Sequence, residues 1–228
     1  MEAEARICYY LGANTPSGFY SLYDQLIDPE TARDVRILKG GPGCGKSTLM
    51  KQVGWALEER GYAVEYIRCS GDPDSLDAVV IPALGAAVVD GTAPHVVEPK
   101  YPGLVESYVD LGACYDRAAL QAVGPELKGC MKGYKACYSR AYRCLTAAAQ
   151  LEEDVRALLV TPTLEAKMAK RARGILSREI KGAGDQAGRA VQRFLGGITW
   201  QGVLREYGTV EAQCSKVYEL SDTYGLAH

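Results

Sequence analysis

Residues 35–60 read V-R-I-L-K-G-G-P-G-C-G-K-S-T-L-M-K-Q-V-G-W-A-L-E-E-R: a short apolar run, a glycine-rich turn, then a stretch with helical spacing. Within it Gly40 to Ser47 match G-x-x-x-x-G-K-[ST], the Walker A pattern, in the strand–turn–helix context that gives the pattern its meaning. Gly40, Gly43 and Gly45 let the backbone turn tightly enough to aim successive N–H groups at one anion. The anion then lies at a helix N-terminus, where unpaired amides and the positive end of the helix dipole add to the charge of Lys46. Lys46 is expected to reach the β and γ phosphates of a nucleotide, and Ser47 to hold Mg²⁺ through its hydroxyl. The expected nucleotide-binding set is Gly40, Gly41, Gly43, Cys44, Gly45, Lys46, Ser47 and Thr48, with Mg·ATP as the ligand.

Outward from this segment, the patterning predicts a helix over 48–60 stopped by Gly61, a strand over 62–69, a turn at Gly71-Asp72-Pro73-Asp74, and apolar segments at 78–84 and 86–89. Strands alternating with helices indicate an open, mainly parallel sheet. Upstream, 7–11 is a short apolar run, and Thr15-Pro16 predicts a helix that Asp28-Pro29 closes. From Leu104 the spacing of Leu104, Tyr108, Leu111 and Tyr115 predicts a helix up to a break at Gly124-Pro125. Leu127, Met131, Tyr134, Tyr138, Ala141, Leu145 and Ala148 then alternate steps of four and three, the spacing of a helix packed lengthwise along another. A further helix starts at Thr161-Pro162 and runs to Gly182-Ala183-Gly184, so a helical hairpin with an apolar seam is expected.

A cryptic repeat links the two ends. Tyr10-Leu11-Gly12, Thr15 and Gly18 recur as Phe194-Leu195-Gly196, Thr199 and Gly202, both reading aromatic-L-G-x-x-T-x-x-G. Val35 to Leu38 then finds a counterpart in Val217 to Leu220, and Gly43 to Lys46 falls opposite Gly225-Leu226-Ala227-His228. A second loop of that composition lacks the last glycine and the lysine, and is expected to have lost most of its grip on phosphate. The expected organisation is a nucleotide-binding α/β core over 1–103, a helical hairpin or lid over 104–190, and the start of a degenerate second repeat over 191–228.

Composition fits a folded protein: 47% hydrophobic and 24% charged residues in 228, with no low-complexity tract. A net charge of −2 supplies no global attraction for nucleic acid or anionic membrane. The charge is unevenly spread, with 9 basic and 14 acidic residues over 1–103 against 17 and 14 over 104–228. No apolar stretch is long enough to span a bilayer, and Met1-Glu2-Ala3-Glu4 lacks the features of a secretion signal, so a cytoplasmic location is expected. The eight cysteines include no C-x-x-C pair and are expected to be reduced. Cys130, Cys137 and Cys144, at heptad spacing, read as small buried hydrophobes rather than as a redox or metal stripe. Cys44, inside the loop, is expected to make nucleotide binding sensitive to thiol reagents.

The segments G-A-N-T-P-S-G-F-Y at 12–20, L-K-G-G-P-G-C-G-K-S-T-L-M at 38–50, C-S-G-D-P-D-S-L-D at 69–77 and I-P-A-L-G-A-A-V-V-D-G-T-A-P-H at 81–95 resemble a bacterial group of tandem P-loop proteins labelled as ATPases or nucleotide kinases. The likeness is dense over the first hundred residues, loose over 194–228, and absent from the helical middle. It implies an α/β P-loop NTPase fold, a mainly parallel sheet flanked by helices, with the helical hairpin as an insertion. It also implies two P-loop halves, and this chain departs from that by ending inside the second.

Such a protein needs a second Mg²⁺ anchor, usually an Asp ending a buried strand, and Ala86-Ala87-Val88-Val89-Asp90 has that form. Asp90 is therefore assigned with Lys46 to catalysis and with Ser47 to the metal; the alternative is a carboxylate at an ordinary strand end. Asp72 and Asp74 form a D-x-D that can orient an acceptor hydroxyl and, through Asp72, help hold metal, or can simply serve a Pro-centred turn. His95 reads as a surface-loop histidine, with phosphate contact or base catalysis as the alternative. Lys132, Lys135, Arg140 and Arg143, and a second basic run from Lys167 to Lys181, are candidate lid cations or solvated helix faces.

Three functions fit: an ATPase using Lys46, Ser47 and Asp90 with water as nucleophile; a small-molecule or nucleotide kinase with its acceptor near Asp72 and Asp74; and a slow nucleotide-dependent module presenting the hairpin to a protein partner. The absence of N-K-x-D and T-K-x-D argues against a Ras-like GTPase, and the absence of L-S-G-G-Q against an ABC ATPase. No glutamate follows Asp90 to polarise water, which favours slow hydrolysis or a kinase, whereas the family likeness favours an ATPase. ATP hydrolysis is the leading expectation.

Overall fold

A computed structural model describes residues 6–179 and 190–219. The strands in chain order are β1 (Ile7–Tyr9), β2 (Gly12–Thr15), β3 (Gly18–Ser21), β4 (Asp34–Lys39), β5 (Glu65–Arg68), β6 (Leu76–Ile81), β7 (Ala86–Asp90), β8 (Glu106–Asp110), β9 (Gly196–Thr199) and β10 (Gly202–Arg205). The α-helices are α1 (Lys46–Glu58), α2 (Arg117–Ala122), α3 (Gly124–Leu159), α4 (Pro162–Glu179) and α5 (Gly208–Gln213). Six strands make one sheet in the order β1-β5-β6-β7-β4-β8. The pairs β1–β5, β4–β7 and β4–β8 are parallel, and β6 alone runs against its neighbours. The fold is thus mixed α/β with a mostly parallel sheet, as expected.

Alternation along the strands divides the core between the two faces of the sheet. Ile37, Ile67, Ala78, Val80 and Val89 point to one side, where Leu22, Tyr23 and Leu26 cover them. Leu38, Tyr66, Val79 and Ile81 point to the other, under Met50 of α1. All six residues of β6 are buried, as a strand covered on both faces must be. α1 lies close because Gly54 faces the Tyr66 ring, where a Cβ would come within 2.6 Å of it.

The repeat seen in the sequence is a pair of equivalent hairpins. β2–β3 and β9–β10 have matching registers, Thr15 opposite Gly18 and Thr199 opposite Gly202. In each, the threonine hydroxyl donates to the glycine carbonyl (2.7 and 3.0 Å) and accepts from an N–H two residues on, that of Ser17 (3.2 Å) or Gln201 (3.1 Å). Gly18 and Gly202 both take the left-handed conformation, with φ of 104° and 105°. The hairpins meet through like positions. Tyr10 N–H donates to the Phe194 carbonyl at 2.9 Å, Phe194 N–H returns the bond at 3.0 Å, and the Asn14 amide donates to the Ile198 carbonyl at 2.8 Å. A local two-fold relation therefore runs between the repeats. Val217 to Glu219 form no strand, and the expected second loop at 225–228 lies outside the described residues, as do Leu220, Lys181 and the 182–184 interruption.

The segment after the second hairpin seals the sheet. β1 is an edge strand, and the Thr209 hydroxyl of α5 accepts from Cys8 N–H at 2.7 Å and donates to the Cys8 carbonyl. Arg68 and Glu206 add an ion pair at 3.2 Å beside it.

Three sequence expectations are corrected. The helix expected from Thr15 to Asp28 is instead the hairpin β2–β3 followed by a 3₁₀ turn at Tyr23–Gln25, because Pro16 sits in a two-residue loop closed by the Thr15 hydroxyl. The helix expected from Leu104 begins instead as strand: β8 joins β4 along one sheet edge, and a 3₁₀ turn at Leu111–Cys114 and the short α2 follow before Gly124. The break expected at Gly124-Pro125 falls between α2 and α3, with the proline in the first turn of α3, where it loses no hydrogen bond. Finally, the hairpin seam is not a core. No residue of α3 or α4 is buried, Leu127, Met131 and Tyr134 are exposed, and so are Cys130, Cys137 and Cys144. α3 touches the α/β unit locally, through Tyr142 Oη to Asn14 Oδ1 (3.0 Å) and Thr146 Oγ1 to the Pro16 carbonyl (2.6 Å). No helix among the described residues is long and apolar enough to cross a membrane.

Candidate functional site

The glycine-rich loop joins the end of β4 to the start of α1, between the parallel neighbours β7 and β8. Gly43 and Gly45 have φ of 78° and 89°, values that only glycine takes readily, and a Cβ at either would face open space. Gly45 is the N-cap of α1 and offers no side-chain acceptor. The N–H groups of Gly45, Lys46, Ser47 and Thr48 accordingly have no acceptor among the described hydrogen bonds. These are the four orphan donors of a helix start, left open in a cradle of backbone.

Lys46 bends back into this cradle, donating to the Gly40 carbonyl at 2.8 Å and the Gly41 carbonyl at 3.0 Å. Its Nζ lies 3.5 Å from Asp90 Oδ2, with side-chain exposures of only 10% and 13%. Strand register explains the meeting: Asp90, last in β7, pairs with Leu38 of β4, so its carboxylate stands at the mouth of the loop. Asp90 Oδ1 is fixed by Thr92, through its N–H at 2.9 Å and its hydroxyl at 2.6 Å. Sequence reasoning brought Lys46 and Asp90 to one place, and they lie there together.

Ser47 Oγ accepts from Leu76 N–H at 3.0 Å, which ties α1 to the start of β6 and leaves the hydroxyl proton free. Cys44 Sγ lies 3.8 Å from Lys46 Nζ, and a Cβ on Gly40 would come within 2.6 Å of that sulfur. Thr48 is exposed at the rim. Asp72 and Asp74 belong to a turn: Ser75 N–H donates to the Asp72 carbonyl at 2.8 Å and the Ser75 hydroxyl to Asp72 Oδ2 at 2.6 Å. That turn is docked on α1 by Lys51, which donates to the Asp74 carbonyl at 2.5 Å. The basic residues of α3 are exposed and make no described contact with the loop.

Two participants were not anticipated. Tyr115 lies over the loop, its hydroxyl accepting from Gly41 N–H. Asp77 projects from an otherwise apolar strand, β6, and forms with Asp90 and His95 a group whose ligating atoms all fall within 4.8 Å of one another. His95 is not on the surface: its side chain is 6% exposed and that of Asp77 4%. Its ring stacks on Tyr23 with centroids 4.7 Å apart, and the Tyr23 hydroxyl donates to Asp77 Oδ2 at 2.7 Å. Burial raises the pKa of Asp77 from its ordinary value and pushes the neighbouring Cys69 thiol up to about 12.

A separate cleft of about 410 Å³ lies toward the other end of the central strands, between Tyr23, Leu26, Val35 and Glu106. No family model, curated protein or solved structure matches the chain, and the chemistry of this site rests on its own residues.

Proposed function

We propose that the chain is a P-loop nucleotide-binding protein that hydrolyses Mg·ATP. The carrying observation is the uncapped start of α1, with four N–H groups that have no acceptor among the described residues and Lys46 folded back onto the carbonyls of the same loop. The donor set suits a polyphosphate: backbone amides and an ammonium for oxygens, and left-handed glycines that keep side chains out of the way. Ser47 and Asp90 are the residues that would hold Mg²⁺, which when bound neutralises charge on the β and γ oxygens.

In this account Lys46 exchanges the Gly40 and Gly41 carbonyls for phosphate oxygens, and the N–H groups of Gly45 to Thr48 orient the chain of phosphates. Asp90 stays fixed by Thr92, so the carboxylate is held in place before any ligand arrives. Preorganised donors of this kind are each worth roughly 10²–10³ in rate. The hydroxyl of Tyr115 must leave Gly41 N–H if that amide is to contribute.

A kinase is the second reading, favoured by one observation: the Asp72–Ser75 turn leads directly into Leu76, whose N–H is bound by Ser47, so an acceptor held there would lie beside the loop. Phosphate release from Mg·ATP, measured with nucleotide binding in the same samples, tests both. Turnover without an acceptor that falls at least ~100-fold in Lys46→Ala supports hydrolysis. Binding without turnover until an alcohol or nucleotide acceptor is added supports the kinase. No binding in the wild-type protein rejects both.

A further inference from the structure

We infer that Asp77, Asp90 and His95 form a binding site for a divalent transition-metal ion, manganese or zinc, beside the glycine-rich loop. The inference shares Asp90 with the proposed Mg²⁺ site but takes no ligand from the loop itself, since its ligands lie on β6, β7 and the segment after β7.

Two independent observations meet there. Three ligating side chains from separate places in the sequence bring their donor atoms within 4.8 Å of one another. In addition, His95 Nε2 is completely buried and has no hydrogen-bond partner among the described residues. It points at Asp77 Oδ1 from 3.7 Å, too far for a hydrogen bond. A buried nitrogen without a partner calls for an ion or a water between it and its neighbour. An ion bound at about 2.0–2.1 Å sets tetrahedral donors roughly 3.3 Å apart, so closure of a few tenths of an ångström brings His95 and Asp77 into range.

The surroundings are built for ligation. Tyr23 donates to Asp77 Oδ2 and stacks on the His95 ring, which leaves Oδ1 and Nε2 facing each other. Thr92 holds Asp90 from the far side. Two carboxylates and one imidazole suit manganese or zinc rather than Mg²⁺ or Ca²⁺, which prefer all-oxygen sets. Cys69 does not enter the set, and its thiol is kept protonated by burial. Because Asp90 also faces Lys46 at 3.5 Å, an ion here competes with the lysine for the carboxylate.

The test uses the full chain, stripped with chelator, without nucleotide and with its exposed thiols alkylated. It is titrated with MnCl₂ by electron paramagnetic resonance and with ZnCl₂ by calorimetry. The expected result is one equivalent bound, with affinity lowered at least tenfold in both Asp77→Asn and His95→Gln. Asp77→Asn keeps an acceptor for Tyr23, and circular dichroism checks that each variant is folded. Retention of less than half an equivalent of either ion, or binding equally tight in the two variants, overturns the inference and leaves a water-bridged Asp–His pair. Since no nucleotide is present, failure here leaves the hydrolysis assay standing, and the reverse also holds.

Discussion

Replacing Thr209 by valine tests how the segment after the second hairpin supports the central sheet. The threonine hydroxyl is the partner of both main-chain groups of Cys8 that face away from the sheet, and its residue is 5% exposed. Valine keeps the shape and the branching but strands a buried N–H and a buried carbonyl. At about 1–3 kcal/mol for each orphaned group, partly offset by water reaching the edge, the expected loss is ~2–4 kcal/mol. For a chain of this size that lowers Tm by roughly 5–12 °C. Thr209→Ser keeps both hydrogen bonds and loses one methyl group, so it should cost only ~0.8 kcal/mol. Urea denaturation followed by far-ultraviolet circular dichroism gives both values, with the slope of the transition checked for constancy. If valine costs less than ~0.5 kcal/mol, below the ordinary worth of even one hydrogen bond, or serine costs as much as valine, the hydroxyl is not what seals β1.

Tyr115→Phe frees Gly41 N–H, and nucleotide affinity measured by calorimetry should rise ~2–10-fold, the worth of one neutral hydrogen bond; weaker binding would show that the tyrosine supports the ligand instead of excluding it. Bound Mg·ATP should protect Cys44 from iodoacetamide, read by mass spectrometry, because the sulfur lies 3.8 Å from Lys46 Nζ; equal labelling with and without nucleotide would place the phosphates elsewhere. At pH 8 a disulfide reagent should modify the exposed Cys114, Cys130, Cys137, Cys144 and Cys214 quickly, and Cys8 and Cys69 only after denaturation. Burial raises the pKa of Cys8, and a thiol at about 12 is ionised in only about one Cys69 in 10⁴. A chain ending at residue 189 loses Phe194 and α5, exposes the β1 edge, and should aggregate on expression; a soluble monomer would argue that the edge protects itself.

The strand–loop–helix unit was legible because its glycines and its change of period are local signals, and the same holds for β5, β6 and β7. The hairpin β2–β3 was not, since threonine followed by proline opens a helix and a turn equally well. β8 was hidden by accident of spacing: Leu104, Tyr108, Leu111 and Tyr115 mimic a helix face, yet the chain there is the edge strand next to β4. The α3 stripe follows the helical period correctly but is not buried among the described residues, and periodicity cannot report whether a partner is present. The nearness of Lys46 and Asp90 was legible because both sit at element ends fixed by motif and strand. Asp77, and the burial of His95 beside it, escaped because their meeting is tertiary. One signal was present: an aspartate second in the apolar strand L-D-A-V-V-I, whose burial demands a partner.

The meeting of Tyr10 and Phe194 has a further consequence. The two residues hold the same place in their repeats, so the bond pair between them is self-complementary, the kind of contact by which two identical subunits join about a two-fold axis. Here both partners belong to one chain, and the intervening polypeptide holds them at an effective concentration far above that of free protein, on the order of millimolar for a short flexible tether. A contact too weak to assemble two molecules is then strong enough to close one. Severed from its counterpart, the first hairpin would offer the same face to another molecule's first hairpin, and an internal fold contact would become an equilibrium that depends on concentration.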